Sequence, residues 1–241
     1  MEKALNAEIS HRSSFSIGRW LRTFGTLLGF VLLVVFFWSQ RPDTFMTVRN
    51  WLNITQQISI LGVIAFTMTV VMSMNDFDLS VGTMASFAGI VAALLFRDGQ
   101  PVLVGVTVAL LAGMIGGLLN GFLVSYVGIS PFVATLGTMT VFGGVALYIS
   151  GGTTIFGRAI PEAFSDFARG GIDLGVIGDT AVILPNLTIL ALVVLLIVWV
   201  VMEQTVFGRR LYAIGGNEEA ARLGGVRVRW VRRQAFVITG L

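Results

Sequence analysis

Cysteine is absent from the 241 residues, and histidine and lysine occur once each, as His11 and Lys3. Without cysteine there is no disulfide framework and no thiolate metal site. His11 stands in a polar N-terminal stretch, so the rest of the chain has no imidazole to act as base or metal ligand. No Gly-x-x-x-x-Gly-Lys-Ser/Thr phosphate loop surrounds Lys3, so the chain has no ATP site of that kind. His-Glu-x-x-His is also missing, as is a serine with a usable base in an apolar run, which argues against an intramembrane enzyme. Charge is the scarcest property. Only 12% of residues carry it, against about 25% in a soluble domain, and mean hydropathy is +0.87. A soluble globule, a disordered chain and a protein with a single anchor are all excluded.

What is present is apolar sequence. Five uncharged runs, 23–40, 50–75, 79–96, 99–157 and 180–202, hold 144 residues. A bilayer crossing takes about 17–25 mainly apolar residues, so four of the runs are span-sized. The run 99–157 would make one helix of about 88 Å and has to fold back. Asn120-Gly121, Ser125, Gly128 and Ser130-Pro131 mark the break, since Asn-Gly and Ser-Pro are turn dipeptides. The expectation is an all-α polytopic membrane protein with six complete transmembrane helices, roughly 22–39, 55–74, 79–96, 101–119, 131–149 and 181–202. The apolar stretch 235–241 opens a seventh. The first span is read as uncleaved, because residues 36–40, FFWSQ, offer no small-residue cleavage site. Trp20, Trp38 and Trp51 fall near the expected boundaries, as interfacial aromatics do.

Arginine sets the orientation. With the N-terminus inside, cytoplasmic segments hold eleven of the sixteen Lys and Arg residues and outer segments hold five. This places a tail 1–21 and a loop 203–234 in the cytoplasm, a loop 150–180 outside, and one transmembrane domain over 22–241. The basic balance is thus an orientation signal, with no nucleic-acid partner implied and the lipid bilayer as the surroundings.

Gly113, Gly117 and Gly121 recur at spacing four, as do Ala85, Gly89 and Ala93, and such stripes allow close helix packing in lipid. Asp76 and Asp78 are the only acids near a span interior. Asp78 directly precedes 79–81 (LSV), which suits an N-cap of the third helix, and a pathway or gate is the other reading. Gln57, Ser80, Thr135 and Thr138 complete the candidate pathway groups, although interhelical hydrogen bonds explain such residues equally well. In the outer loop, Pro161 can start a short helix with Ile160, Phe164 and Phe167 on one face. Residues 215–225 read as another short helix. Asn217 is its N-cap, Glu218 and Glu219 complement the positive end, Arg222 complements the negative end, and Gly224 terminates it in a left-handed conformation. Its few residues cannot hold a helix alone in water, so it persists by packing on something.

Three stretches carry a resemblance: 77–82, FDLSVG, with Gln57 twenty residues earlier; Asn120-Gly121 followed by 131–139, PFVATLGTM; and 207–223, FGRRLYAIGGNEEAARL. Together they resemble the permease subunit of ribose/xylose/galactose-type ABC sugar importers, from about residue 50 to the end. The resemblance implies a type II ABC importer permease bundle and a monosaccharide cargo. The implied partners are cytoplasmic ATPase subunits that bind the ATP and Mg, a second permease copy and a periplasmic sugar-binding protein. The implied location is the bacterial inner membrane. It makes Gly215, Gly216, Asn217, Glu218, Glu219, Ala220, Ala221, Arg222, Leu223 and Gly224 the coupling helix seated in the ATPase, with Ala220, Ala221 and Leu223 as its contact face. Four positions depart from the pattern: Asn75-Asp76 replace a Gly-Gly, Thr67 a glycine and Gly143 an arginine. The family runs on through further spans, so the chain is expected to be truncated, with its small-residue stripes left facing lipid. A nucleoside or branched-chain amino acid permease is the alternative cargo class, and a stand-alone secondary carrier the alternative mechanism.

Overall fold

The computed structural model describes residues 17–177 and 180–241; His11 and most of the expected tail 1–21 lie outside them. The chain forms two units, through Trp51 and from Leu52 onward. In the first, α1 (Ile17–Gln40) is apolar through residues 24–38, and none of its membrane-length window is buried. A long apolar stretch exposed along its length suits a lipid environment. The short α2 (Pro42–Phe45) starts on a proline, and Phe45 stacks on Phe37 with ring centroids 5.8 Å apart.

The second unit is built on α3 (Val48–Met72), α4 (Val81–Arg97), α5 (Val102–Phe122), α6 (Pro131–Ser150) and α8 (Asn186–Gln204). Among the described residues, five helices are long and apolar enough to cross a membrane: Leu21–Gln40, Val48–Met72, Val102–Val127, Pro131–Ser150 and Asn186–Gln204. The remaining expected span is the shorter α4, of 17 residues. It is short because residues 78–80 are drawn into a buried polar turn before the helix begins.

The expected break at Asn120-Gly121 is displaced. α5 runs through both residues, and a π-helical turn (Leu123–Val127) follows before the chain reverses at Gly128, φ 82°. Asn120 and Gly121 are both buried, so neither is available for a surface turn. A Cβ at 121 would stand 2.9 Å from the Arg233 backbone, which is why glycine is needed there.

Beyond α6 the chain forms α7 (Glu162–Arg169), whose Phe164 packs on Phe96 with centroids 5.2 Å apart. An antiparallel pair then follows, β1 (Gly171–Ile177) with β2 (Thr180–Pro185), pairing Ile172 with Leu184 and Val176 with Ala181. These strands fall outside the all-α expectation. Their signal is the alternation of Ile172, Leu174 and Val176, a strand period inside a loop. After α8 come α9 (Val206–Gly216), α10 (Glu218–Leu223) and α11 (Val228–Gly240).

α11 is longer than the expected 235–241, and it covers the glycine stripe of α5. Gly113 lies against Gly240, Gly117 against Phe236 and Gly121 against Arg233, so the two helices run antiparallel. That stripe is therefore packed, contrary to the expectation that it faces lipid. The Ala85, Gly89 and Ala93 stripe differs. A Cβ at Gly89 would meet nothing within 4 Å, and Ala85 and Gly89 line an apolar groove of about 310 Å³. The largest buried cluster joins the ends of α3 and α8 to α9 and α11, through Val70, Val71, Met202, Leu211, Val231 and Phe236.

Candidate functional site

Five buried polar side chains meet at the turn from α3 into α4, two from the turn itself and three from α5 and α6. Asp78 Oδ1 accepts the Ser80 backbone N–H at 2.9 Å and the Ser80 hydroxyl at 2.6 Å. This is a turn from Asp78 to the residue two positions on; the N-cap of α4 is Ser80, with no side-chain capping bond, so Asp78 is not the expected cap. Asn120 of α5 donates from Nδ2 to Ser80 Oγ at 2.7 Å and to Asp78 Oδ2 at 3.4 Å. Its Oδ1 accepts from Thr138 Oγ1 of α6 at 2.7 Å. Thr135 Oγ1 accepts the Leu79 N–H at 3.1 Å and donates to the Pro131 carbonyl at 2.7 Å. A buried polar group without a partner is costly, and here the partners come from different helices, so the knot registers α4, α5 and α6 against one another. Among the described residues no cluster of His, Cys, Asp and Glu could hold a metal ion.

Of the candidate pathway groups, Asp78, Ser80, Thr135 and Thr138 meet in this knot. Gln57 does not: it is exposed near the far end of α3. The polar link at that end is made instead by Thr188 of α8, which donates to Thr55 Oγ1 at 3.1 Å and accepts from Ser59 at 3.4 Å. Sequence reading missed both this link and Asn120. Thr55 and Ser59 are four apart on one helix face, and Gly121 belonged to a helical stripe that had to pass through Asn120.

Asp76 is buried but turns away from the knot. Its Oδ2 accepts from Arg232 Nε of α11 at 2.6 Å, and the same guanidinium donates from Nη2 to Glu218 Oε2 of α10 at 2.8 Å. Burial pushes the Asp76 carboxyl above its ordinary value in spite of Arg232, whereas the hydrogen bond from Arg232 draws Glu218 below its own. Beside the bridge, Asn75 takes a left-handed conformation, φ 62°, and donates to the Gly215 carbonyl at 2.7 Å. Gly215 lies directly against the Ser73 carbonyl, an approach only glycine permits.

The helix α10 has the expected N-cap: Asn217 Oδ1 accepts the Ala220 N–H at 2.9 Å. Glu219 pairs with Arg222 at 2.7 Å. Two details differ from expectation. The left-handed terminator is Gly225, φ 84°, while Gly224 is not left-handed. Ala221 is only 7% exposed and packs into the chain's own core, whereas Leu223 is 81% exposed. Ala221 therefore holds the helix in place, and the exposed residues are Glu218, Glu219, Ala220, Arg222 and Leu223.

The family model for the permease component of branched-chain amino acid transport systems matches residues 50–241. The chain is 34% identical over 221 residues to the ribose import permease protein of Bacillus subtilis, covering 92% of this chain and 66% of that one. It is 31% identical over 238 residues to the D-allose transport system permease protein of Escherichia coli, covering 98% and 70%. The galactose/methyl galactoside import permease protein of Salmonella typhimurium is 30% identical over 237 residues, covering 92% and 68%. The chain thus spans about two thirds of the length of these curated relatives. No solved structure matches it.

Proposed function

The chain belongs to the family of permease components of branched-chain amino acid transport systems, which are transport proteins and not enzymes, and from that premise we propose that it is the membrane-spanning subunit of an ATP-driven importer for a monosaccharide. The ribose, D-allose and galactose names of its relatives support a sugar as cargo.

In this reading α1, α3, α4, α5, α6 and α8 are six spans and α11 opens a seventh, in a type II importer bundle. The N-terminus is cytoplasmic, supported by the eleven-to-five split of Lys and Arg, and the membrane is the bacterial inner membrane. The turn 73–80 and the helix α10 then lie on the cytoplasmic side, and β1–β2 and α7 lie outside. ATPase subunits bind the nucleotide and move α10 as a lever; rigid-body motion of the helices exposes the pathway alternately to each face. A second permease copy completes the transporter, and a periplasmic sugar-binding protein delivers cargo to the outer loop.

The observation that carries this reading is α10 itself. It is six residues long, capped at Asn217, anchored inward by Ala221, and presents the apolar Leu223 outward. An exposed leucine on a helix too short to stand alone suits a helix seated in a partner's groove.

The test is uptake of labelled ribose, galactose and leucine into proteoliposomes holding the permease, its ATPase and its binding protein. Sugar accumulation that stops when the ATPase is omitted is the expected result. Accumulation without the ATPase would make the chain a secondary carrier, and accumulation of leucine alone would move the cargo to the amino acid class that the family description names.

A further inference from the structure

We propose that Arg232 is the residue that transmits the movement of α10 to the helices of the pathway, and that it does so by holding Glu218 and Asp76 at once. This rests on the permease reading above. A lever of six residues is useful only if its displacement reaches the spans, and α10 has few ways to pass it on. Ala221 offers one small apolar contact beneath it. The polar route that starts from a side chain of α10 itself is Arg232. Its side chain is 14% exposed, and its two arms reach Glu218 on α10 at 2.8 Å and Asp76 at 2.6 Å. A guanidinium is a planar, rigid fork, so it conveys direction as well as attraction.

Asp76 is also where a pull has most effect. It stands two residues before Asp78, whose carboxylate anchors the knot that registers α4, α5 and α6. The same turn is fixed to α9 by the Asn75 bond to Gly215 and by the backbone contact of Gly215 with Ser73. Residues 73–80 are therefore held at one end by the lever and at the other by the knot. A buried ion pair contributes little net stability, because desolvation offsets its attraction, and its best-attested use is to fix register. Here the register is that of α10 relative to the α3–α4 turn.

The experiment measures solute moved per ATP hydrolysed in proteoliposomes holding the full-length permease with its ATPase and binding protein. Asp76→Asn keeps size and loses charge, Arg232→Gln removes the fork, and Asp76→Glu keeps the carboxylate. The first two should lower the ratio about tenfold, within the usual range of coupling between sites, and the double variant should be no worse than either. Asp76→Glu should stay within about twofold of wild type, since it still offers a charged acceptor to the fork. An unchanged ratio in Asp76→Asn and Arg232→Gln overturns the proposal. So does a fall in uptake matched by an equal fall in hydrolysis and complex yield, which would make the bridge a structural brace only. A wild-type importer that hydrolyses ATP without moving solute would overturn the permease reading itself, and the bridge with it.

Discussion

Gly117 of α5 lies flush against the carbonyl of Phe236 in α11, and a Cβ at that position would overlap the oxygen. The obstacle is backbone, which has no rotamer to give. Gly117→Ala should therefore force the helices apart and lower stability by about 1–3 kcal/mol, the range for overpacked sites. Gly89→Ala is the control, because its new methyl enters open space and should change stability by no more than about 0.5 kcal/mol. Thermal unfolding of the purified chain in detergent, followed by tryptophan fluorescence, separates the two. Equal midpoints would show that the α5–α11 contact is looser than described.

The polar knot predicts an order of damage. Thr138→Val keeps the side-chain shape and removes one donor to Asn120, whereas Asn120→Leu removes the group that joins Ser80, Asp78 and Thr138. The first should cost about 1 kcal/mol, the low end for one buried acceptor, Asn120 Oδ1, left without its donor. The second should cost about 1–3 kcal/mol, because Asp78 and Thr138 are left buried with a partner missing. The same unfolding measurement checks the order, and a more damaging Thr138→Val would contradict the connectivity.

The two carboxyls of the bridge should be shifted in opposite directions. Asp76 faces Arg232 and, beyond it, Glu218, which Arg222 also influences. Burial raises Asp76 above 3.8, and the hydrogen bond from Arg232 lowers Glu218 below 4.5. The signs for folding are opposite. The contribution of Glu218 is present above its unfolded value and is lost as pH falls through its depressed folded value. The raised Asp76 binds its proton more tightly folded than unfolded, so acidification through that window favours the folded chain at this one site. Carboxyl carbon NMR of labelled Asp and Glu should show Asp76 titrating above 3.8 and Glu218 below 4.5, and Asp76→Asn should delete the first of these steps. Asp76 titrating below 3.8, or Glu218 above 4.5, would contradict the electrostatic account.

Much of this architecture was legible in the sequence, for reasons tied to particular residues. Lipid demands long uncharged runs, so the spans could be read from the absence of charge. The capped helix announced itself through Asn217, Glu218 and Glu219, because capping is local chemistry. What could not be read was direction. Ala221 and Leu223 are both apolar and two positions apart, and only the fold turns one inward and the other outward. Arg232 looked like one more cytoplasmic arginine, since a bridge to a residue 156 positions away leaves no periodic trace. Asn120-Gly121 carried a turn signal and a packing signal together, and packing won because α11 covers that face. The strands at 171–185 were hidden inside a loop otherwise read for its helix.

The claim on which the rest depends is that the outward face of α10 meets an ATPase in the cytoplasm, and the absence of cysteine makes it directly measurable. Leu223→Cys supplies one thiol at an 81% exposed position, and Phe156→Cys supplies one at a 76% exposed position in the opposite loop. The measurement is the labelling rate of each by a membrane-impermeant maleimide, applied from either side, with and without the ATPase subunit. The account predicts that Cys at 223 reacts only from the cytoplasmic side and slows at least about tenfold when the ATPase is bound, as a residue in the dry centre of an interface should. Cys at 156 should react only from outside, at a rate indifferent to the ATPase. Reaction of 223 from the outer side, or at one rate with and without the ATPase, would contradict the account.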